Sequence, residues 1–189
     1  MINRKQTYAS INLNFGKLSQ KQVNGFEAIF DEWERLKLSD IRELSYVLST
    51  VWHETNKTMQ PIEEYGKGKG KKYGQRRWYN GKFYTDISHI FFGRGHTQNT
   101  WRDIYLKLSQ VNKQGWDFVK DPDLLLQMAP SVWATFHAMT TGLYTSRKLD
   151  HYFNKTVNDP IGARKIINGK DKALHIAEIH YKFLKSIHI

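Results

Sequence analysis

Apolar residues at Val23, Phe26, Ile29, Phe30, Trp33 and Leu36 recur every three or four positions, the spacing of a helix with one buried face. Ser19, just ahead of them, is a suitable N-cap. A second stripe follows a short connection, at Ile41, Leu44, Val47, Leu48, Val51 and Trp52, with Ser39 as its cap. Residues 60–95 break the period. Seven glycines and Pro61 fall there, and short aromatic pieces such as Lys82-Phe83-Tyr84 predict a loop or small β-hairpin. Helical spacing returns from Thr100 to about Asn112 through Trp101, Ile104, Leu106, Leu108 and Val111. Thr100, with Asp103 three residues on, is close to a capping box. Asp121-Pro122 supplies a cap and a first-turn proline; Pro130 should interrupt that helix, and Ser131 should open another ending near Gly142. Asp159-Pro160 repeats the device, with Gly169 past the end. Asp171 should start a last helix with Leu174, Ala177, Tyr181, Leu184 and Ile187 or Ile189 buried and Lys172, His175, Lys182 and Lys185 outward. The expected class is mainly α, with the 60–95 insertion lining a cleft.

The chain has 189 residues and a mass of 22.3 kDa, enough to bury a core without staples, and no Pro/Ser-rich linker divides it. A single domain over 1–189 is expected. There are no cysteines, so disulfides, thiolate metal sites and a cysteine nucleophile are excluded. The first residues, Met1-Ile2-Asn3-Arg4-Lys5-Gln6, lack the apolar core of a signal peptide. Export would need another agent.

A formal charge of +11 implies attraction to polyanions, which include nucleic acids and bacterial envelopes. The densest basic run, Lys67-Gly68-Lys69-Gly70-Lys71-Lys72 with Arg76-Arg77, is followed by Trp78, Tyr79, Phe83 and Tyr84. Such a run can clamp a phosphate backbone with stacking platforms, or border a sugar cleft whose aromatic faces pack on pyranose rings. The carboxylates just upstream favour the second, so a nucleic-acid partner is not expected. The basic face of the last helix suits an anionic outer-membrane surface, although docking on the core is the commoner use of such a helix.

Those carboxylates are Glu54, next on the second stripe and near its helix C-terminus, and, ten residues later, Glu64 beside Glu63. Burial and the negative helix end both penalise ionisation, which disposes Glu54 to hold a proton and act as a general acid. The alternative is a solvated glutamate at a frayed helix end. Two carboxylates in unlike surroundings are the minimum equipment for glycosidic hydrolysis.

His53-Glu54-Thr55, Thr58-Met59-Gln60-Pro61-Ile62-Glu63-Glu64-Tyr65-Gly66, the block from Phe91 to Arg102 (FFGRGHTQNTWR) and Ala163-Arg164-Lys165-Ile166-Ile167-Asn168-Gly169 together resemble the lysozyme-like chitinases of glycoside hydrolase family 19. Short phage and prophage endolysins related to that family are the nearest likeness. The resemblance implies a two-lobed, lysozyme-like helical fold and a peptidoglycan hydrolase, with a chitinase as the alternative. It implies Glu54 as the general acid, Glu64 as the second carboxylate with Glu63 as its competitor, and Thr100 as the hydroxyl holding the hydrolytic water. Gln98 and Asn168 would contact the glycan, with Tyr65, Arg94 and Trp101 as further cleft candidates. Arg94, between two glycines, has a loop-fixing role as its safer default. Inversion is expected, which requires carboxyls roughly 6.5–9.5 Å apart. The alternative of another class is a basic nucleic-acid-binding module.

Other chemistries fit less well. His53-Glu54 starts like a zincin motif, but Lys57 stands where the second histidine belongs. The remaining histidines lack ligand spacing, so no metal or cofactor is expected. No Gly-x-Ser-x-Gly elbow or phosphate-binding loop occurs. Nothing demands more than a monomer.

Overall fold

The computed structural model describes residues 1–74, 78–79, 82–83 and 91–189, with backbone alone at 78–79 and 82–83. It is mainly helical: α1 (Arg4–Phe15), α2 (Gln20–Arg35), α3 (Ile41–Glu54), α4 (Arg102–Val111), α5 (Met128–Thr141) and α6 (Ala173–Ser186). Among the described residues, four two-residue strands, β1 (Ile62–Glu63), β2 (Trp78–Tyr79), β3 (Lys82–Phe83) and β4 (Arg94–Gly95), form two antiparallel pairs, β1 with β4 and β2 with β3. The chain divides into two compact units, one made of Met1–Gln60 with Thr135–Ile189 and the other of Pro61–Ala134, so the second extends well past the expected 60–95 insertion.

In the first unit α3 packs on α6, with α1 also against α6 and α2 against α3. Most of the expected stripe of α2 is observed: Phe26, Ile29, Phe30 and Trp33 are buried, whereas Val23 is half-buried and Leu36, at the C-cap, is exposed; Ser19 and Gln22 form a reciprocal capping box. Gly25 interrupts this helix for a packing reason. A Cβ there would lie 1.9 Å from the Met59 carbonyl oxygen, so only glycine admits that segment. An aromatic core joins the helices, with Phe15 stacked on Phe183 at 4.3 Å and Phe26 and Trp52 beside them. Asp40, rather than Ser39, caps α3, accepting the Arg42 amide.

Three expected details differ. The face of α6 is turned: Ala173, Ile176, Ala177, Ile179, His180, Phe183 and Ile187 are buried, whereas Leu174 and Tyr181 are exposed. Both faces carry apolar residues, and packing on α3 selects the one with Ile176 and Phe183. Pro130 does not break α5 but sits in its first turn, where its missing N–H is no loss. Ser131 accordingly lies inside α5 rather than ahead of it, and its hydroxyl accepts the His96 amide, at 2.9 Å. Helix α1 had no sequence signature: only Thr7 and Ile11 of its residues are buried.

In the second unit, Ile62 pairs with Gly95 and Glu63 with Arg94, bringing the Glu-Glu-Tyr-Gly segment beside the Phe-Gly-Arg-Gly segment. Where a loop or small hairpin is expected, the backbones of Trp78–Tyr79 and Lys82–Phe83 pair antiparallel. Arg76, Arg77 and Tyr84, and the side chains of Trp78, Tyr79 and Phe83, lie outside the described residues.

Candidate functional site

The two proposed carboxylates are held in different ways. Glu54 is the last residue of α3, and the inward stripe that ends on it leaves its side chain 17 % exposed. Its Oε1 accepts from Arg164 Nη1 at 2.6 Å. Arg164 follows 110 residues later, in the short 3-10 turn Gly162–Ile166, is only 2 % exposed, and donates its Nε to the Asp171 carbonyl at 2.9 Å. Glu54 Oε2 takes no hydrogen bond from any described residue.

A frayed, solvated glutamate would not be matched to a buried guanidinium. Removing a cation from water costs several kcal/mol unless a partner compensates, and Glu54 is the partner supplied. His53 lies alongside, its ring edge-on to His175 at 5.6 Å. Burial, assisted by Arg164 and His175, holds its pKa below the usual histidine value, against the opposite pull of Glu54. Asn168 is exposed in the loop after Arg164, its amide bonded to the Arg164 carbonyl at 2.9 Å.

Glu64 belongs to the second unit. Its Oε1 accepts the Tyr73 hydroxyl at 2.6 Å and its Oε2 the Gly93 amide at 3.1 Å, while its own amide donates to the Gly93 carbonyl at 2.7 Å. Burial and the bonded carboxylate push the Tyr73 hydroxyl up to about 12, so it stays a donor at neutral pH. Gly93 is required by closeness: a Cβ there would meet Gln98 Oε1 at 2.8 Å and Glu64 Cβ at 3.3 Å. Gln98, at a φ of +53°, donates its amide to the Ile62 and Gly95 carbonyls at 3.0 and 3.1 Å. Gln98 and Glu64 are thereby set around one glycine.

The other candidates divide by exposure. Glu63 is exposed and pairs with Lys67 at 3.3 Å, so it lacks the fixed geometry of Glu64. Tyr65 is fully exposed. Trp101 is 41 % exposed with its ring edge-on to Tyr73 at 5.6 Å. Thr100 does not cap α4. Trp101 occupies the N-cap position, at a φ of +71° and without a side-chain cap. The half-buried Thr100 hydroxyl makes no hydrogen bond with the described residues. Arg94 is 5 % exposed, pairs with Asp123 at 2.8 Å, stands over the Phe92 ring at 3.7 Å and donates to the Tyr105 hydroxyl at 3.3 Å, which fixes the turn.

Glu54 and Asn168 thus lie in the first unit, and Glu63, Glu64, Tyr65, Arg94, Gln98, Thr100 and Trp101 in the second. Sequence reading assigned no role to Arg164 or Tyr73. Arg164 lies in the Ala163–Gly169 segment and Tyr73 directly after the glycine-lysine run, and neither position by itself signals a distant partner. Among the described residues no group of three or more His, Asp or Glu side chains is arranged to hold a metal ion. No described helix is long and apolar enough to cross a membrane. No family model matches the chain, and no curated protein matches it.

Proposed function

We propose that the protein is an endolysin-type glycoside hydrolase that cuts β-1,4 bonds of bacterial peptidoglycan by inverting acid/base hydrolysis. The observation that carries this reading is the Glu54–Arg164 pair, in which a nearly fully buried guanidinium fixes the carboxylate at the end of α3. Glu54 donates a proton from Oε2 to the glycosidic oxygen as the C–O bond breaks, because Oε1 is occupied by Arg164. Glu64, held by Tyr73 and the Gly93 amide, accepts the proton of the attacking water, and the unengaged Thr100 hydroxyl and Gln98 position that water. The +11 charge favours encounter with the anionic wall.

The test compares the native protein with Glu54→Gln and Glu64→Gln on purified cell walls, reading released reducing ends and the anomer first formed. Reducing ends of inverted configuration from the native protein, lost by at least a thousandfold in both variants, are expected. Undiminished release by a folded Glu54→Gln protein removes the acid role, and first-formed product of retained configuration removes the inverting mechanism.

A further inference from the structure

Away from either carboxylate's hydrogen bonds, the second unit carries an open groove of about 410 Å³ along the outer side of α4 and the loop after it. Its lining includes Leu106, Gln110, Gly115, Trp116 and Asp117. The volume is within the range of about 300–1,000 Å³ typical of small-ligand sites.

The construction beneath Trp116 is specific. The Asn112 side chain clamps the loop from both sides, its amide donating to the carbonyls of Leu108, Ser109 and Trp116 at 2.8–2.9 Å and its carbonyl accepting the Trp116 amide at 2.9 Å. The Ser109 hydroxyl accepts the Phe118 amide at 2.9 Å, pinning the far end. Gly115, at a φ of +77° with open space around it, makes the turn that brings Trp116 back over the helix. Phe118 and Trp133 stack nearly parallel, 8° apart, and the Trp116 ring stands across both at 61° and 69°. An indole held at backbone and ring is presented to the groove at little cost in conformational entropy.

The polar groups around it are uncommitted. Gln110 is exposed, and neither its amide nor the Trp116 indole N–H is engaged by a described residue. Asp117 uses one carboxylate oxygen to accept the Val119 and Lys120 amides at 3.1 and 3.0 Å, leaving the other open. Among the described residues no lysine or arginine lines the groove, although the chain is strongly basic. That lining disfavours an anion and offers an aromatic ring for an apolar C–H face beside an amide and a carboxylate for hydroxyl and acetamido groups. We infer that this groove is a second glycan-binding site, taking a short stretch of β-1,4-linked N-acetylated hexose. The choice of glycan rests on the proposed hydrolase reading; the groove itself does not use either proposed catalytic carboxylate.

The test is calorimetric titration of the Glu54→Gln protein, which prevents turnover, with the β-1,4-linked tetramer of N-acetylglucosamine. Trp116→Ala, and independently Gln110→Ala, should each abolish or weaken by at least tenfold one binding event per chain, leaving any other unchanged. Because the exposed Gln110 has no bond to lose, it decides the matter if Trp116→Ala does not fold. If the hydrolase reading fails, the parent still shows one event and Trp116→Ala none; if it holds, the count falls from two to one. Unaltered binding in folded Trp116→Ala, or no binding by the parent, overturns the second site.

Discussion

Replacing His180 with phenylalanine should remove a large part of the protein's sensitivity to mild acid. His180 is fully buried on α6, stacked on Phe153 at 5.4 Å and near the Tyr46 and Tyr181 rings, and neither ring nitrogen has a hydrogen-bond partner among the described residues. Burial, with the Arg42 cation adding and Asp40 opposing, lowers its pKa from 6.5 to about 4. The unfolded chain therefore takes up a proton at pH 6.5 that the folded chain refuses until about pH 4. Stability from this group is complete above pH 6.5 and lost as pH falls through that window, by about 2 kcal/mol at pH 5 and about 3 kcal/mol at pH 4. Glu43 runs the other way. Burial, then Asp40 and Asp150, raise it to about 7, so it lowers stability as pH rises from 4.5 towards 7 and flattens the total curve. The informative quantity is hence the difference between native and His180→Phe proteins, from which Glu43 cancels. Urea unfolding followed by far-ultraviolet circular dichroism from pH 4 to 7.5 should show the variant gaining on the native protein by about 3 kcal/mol across the range. A pH-independent difference would refute the reasoning.

Glu54→Ala should destabilise the protein by about 3 kcal/mol by leaving the Arg164 cation buried and unpaired, whereas Glu54→Gln, which keeps an acceptor oxygen, should cost about 1 kcal/mol; equal losses in urea unfolding would mean the pair is not a buried one. Gly25→Ala, whose Cβ meets backbone rather than a movable side chain, should cost about 3 kcal/mol despite alanine's better helix propensity, and a raised melting temperature would contradict that contact. Tyr73→Phe, which removes only the hydroxyl bonded to Glu64, should lower kcat on cell walls about tenfold with little change in KM or in circular dichroism, and full activity would detach Tyr73 from the site.

The legible parts of the fold were those with one unambiguous face. In α2 the apolar positions and Ser19 both point to the observed helix, and the turn glycines and Pro61 mark the irregular segment. Helix α6 was misoriented because Leu174 and Tyr181 compete on paper with Ile176 and Phe183, and only a neighbour decides which face is covered. Helix α1 was missed because its polar residues contribute no stripe, and Arg4 instead anchors it through Glu27, Asp31 and Glu34. At the candidate site, the carboxylates are local sequence features, but their orienting partners are not. Arg164 reaches Glu54 across 110 residues, and the Gly93 amide reaches Glu64 across 29. Spacing along a chain carries no record of such meetings.

The first unit is assembled from two separated stretches, 1–60 and 135–189, while 61–134 is one continuous piece. During synthesis α3 therefore emerges long before α6, the helix that covers it. Leu44, Val47, Leu48 and Val51 wait for that cover while residues 55–172, 118 in all, are translated, at roughly 5–20 residues per second an interval of about 6–24 seconds. That delay is long compared with hydrophobic collapse, so the nascent chain passes through a stage in which its stickiest helix face is available to chaperones or to other nascent copies.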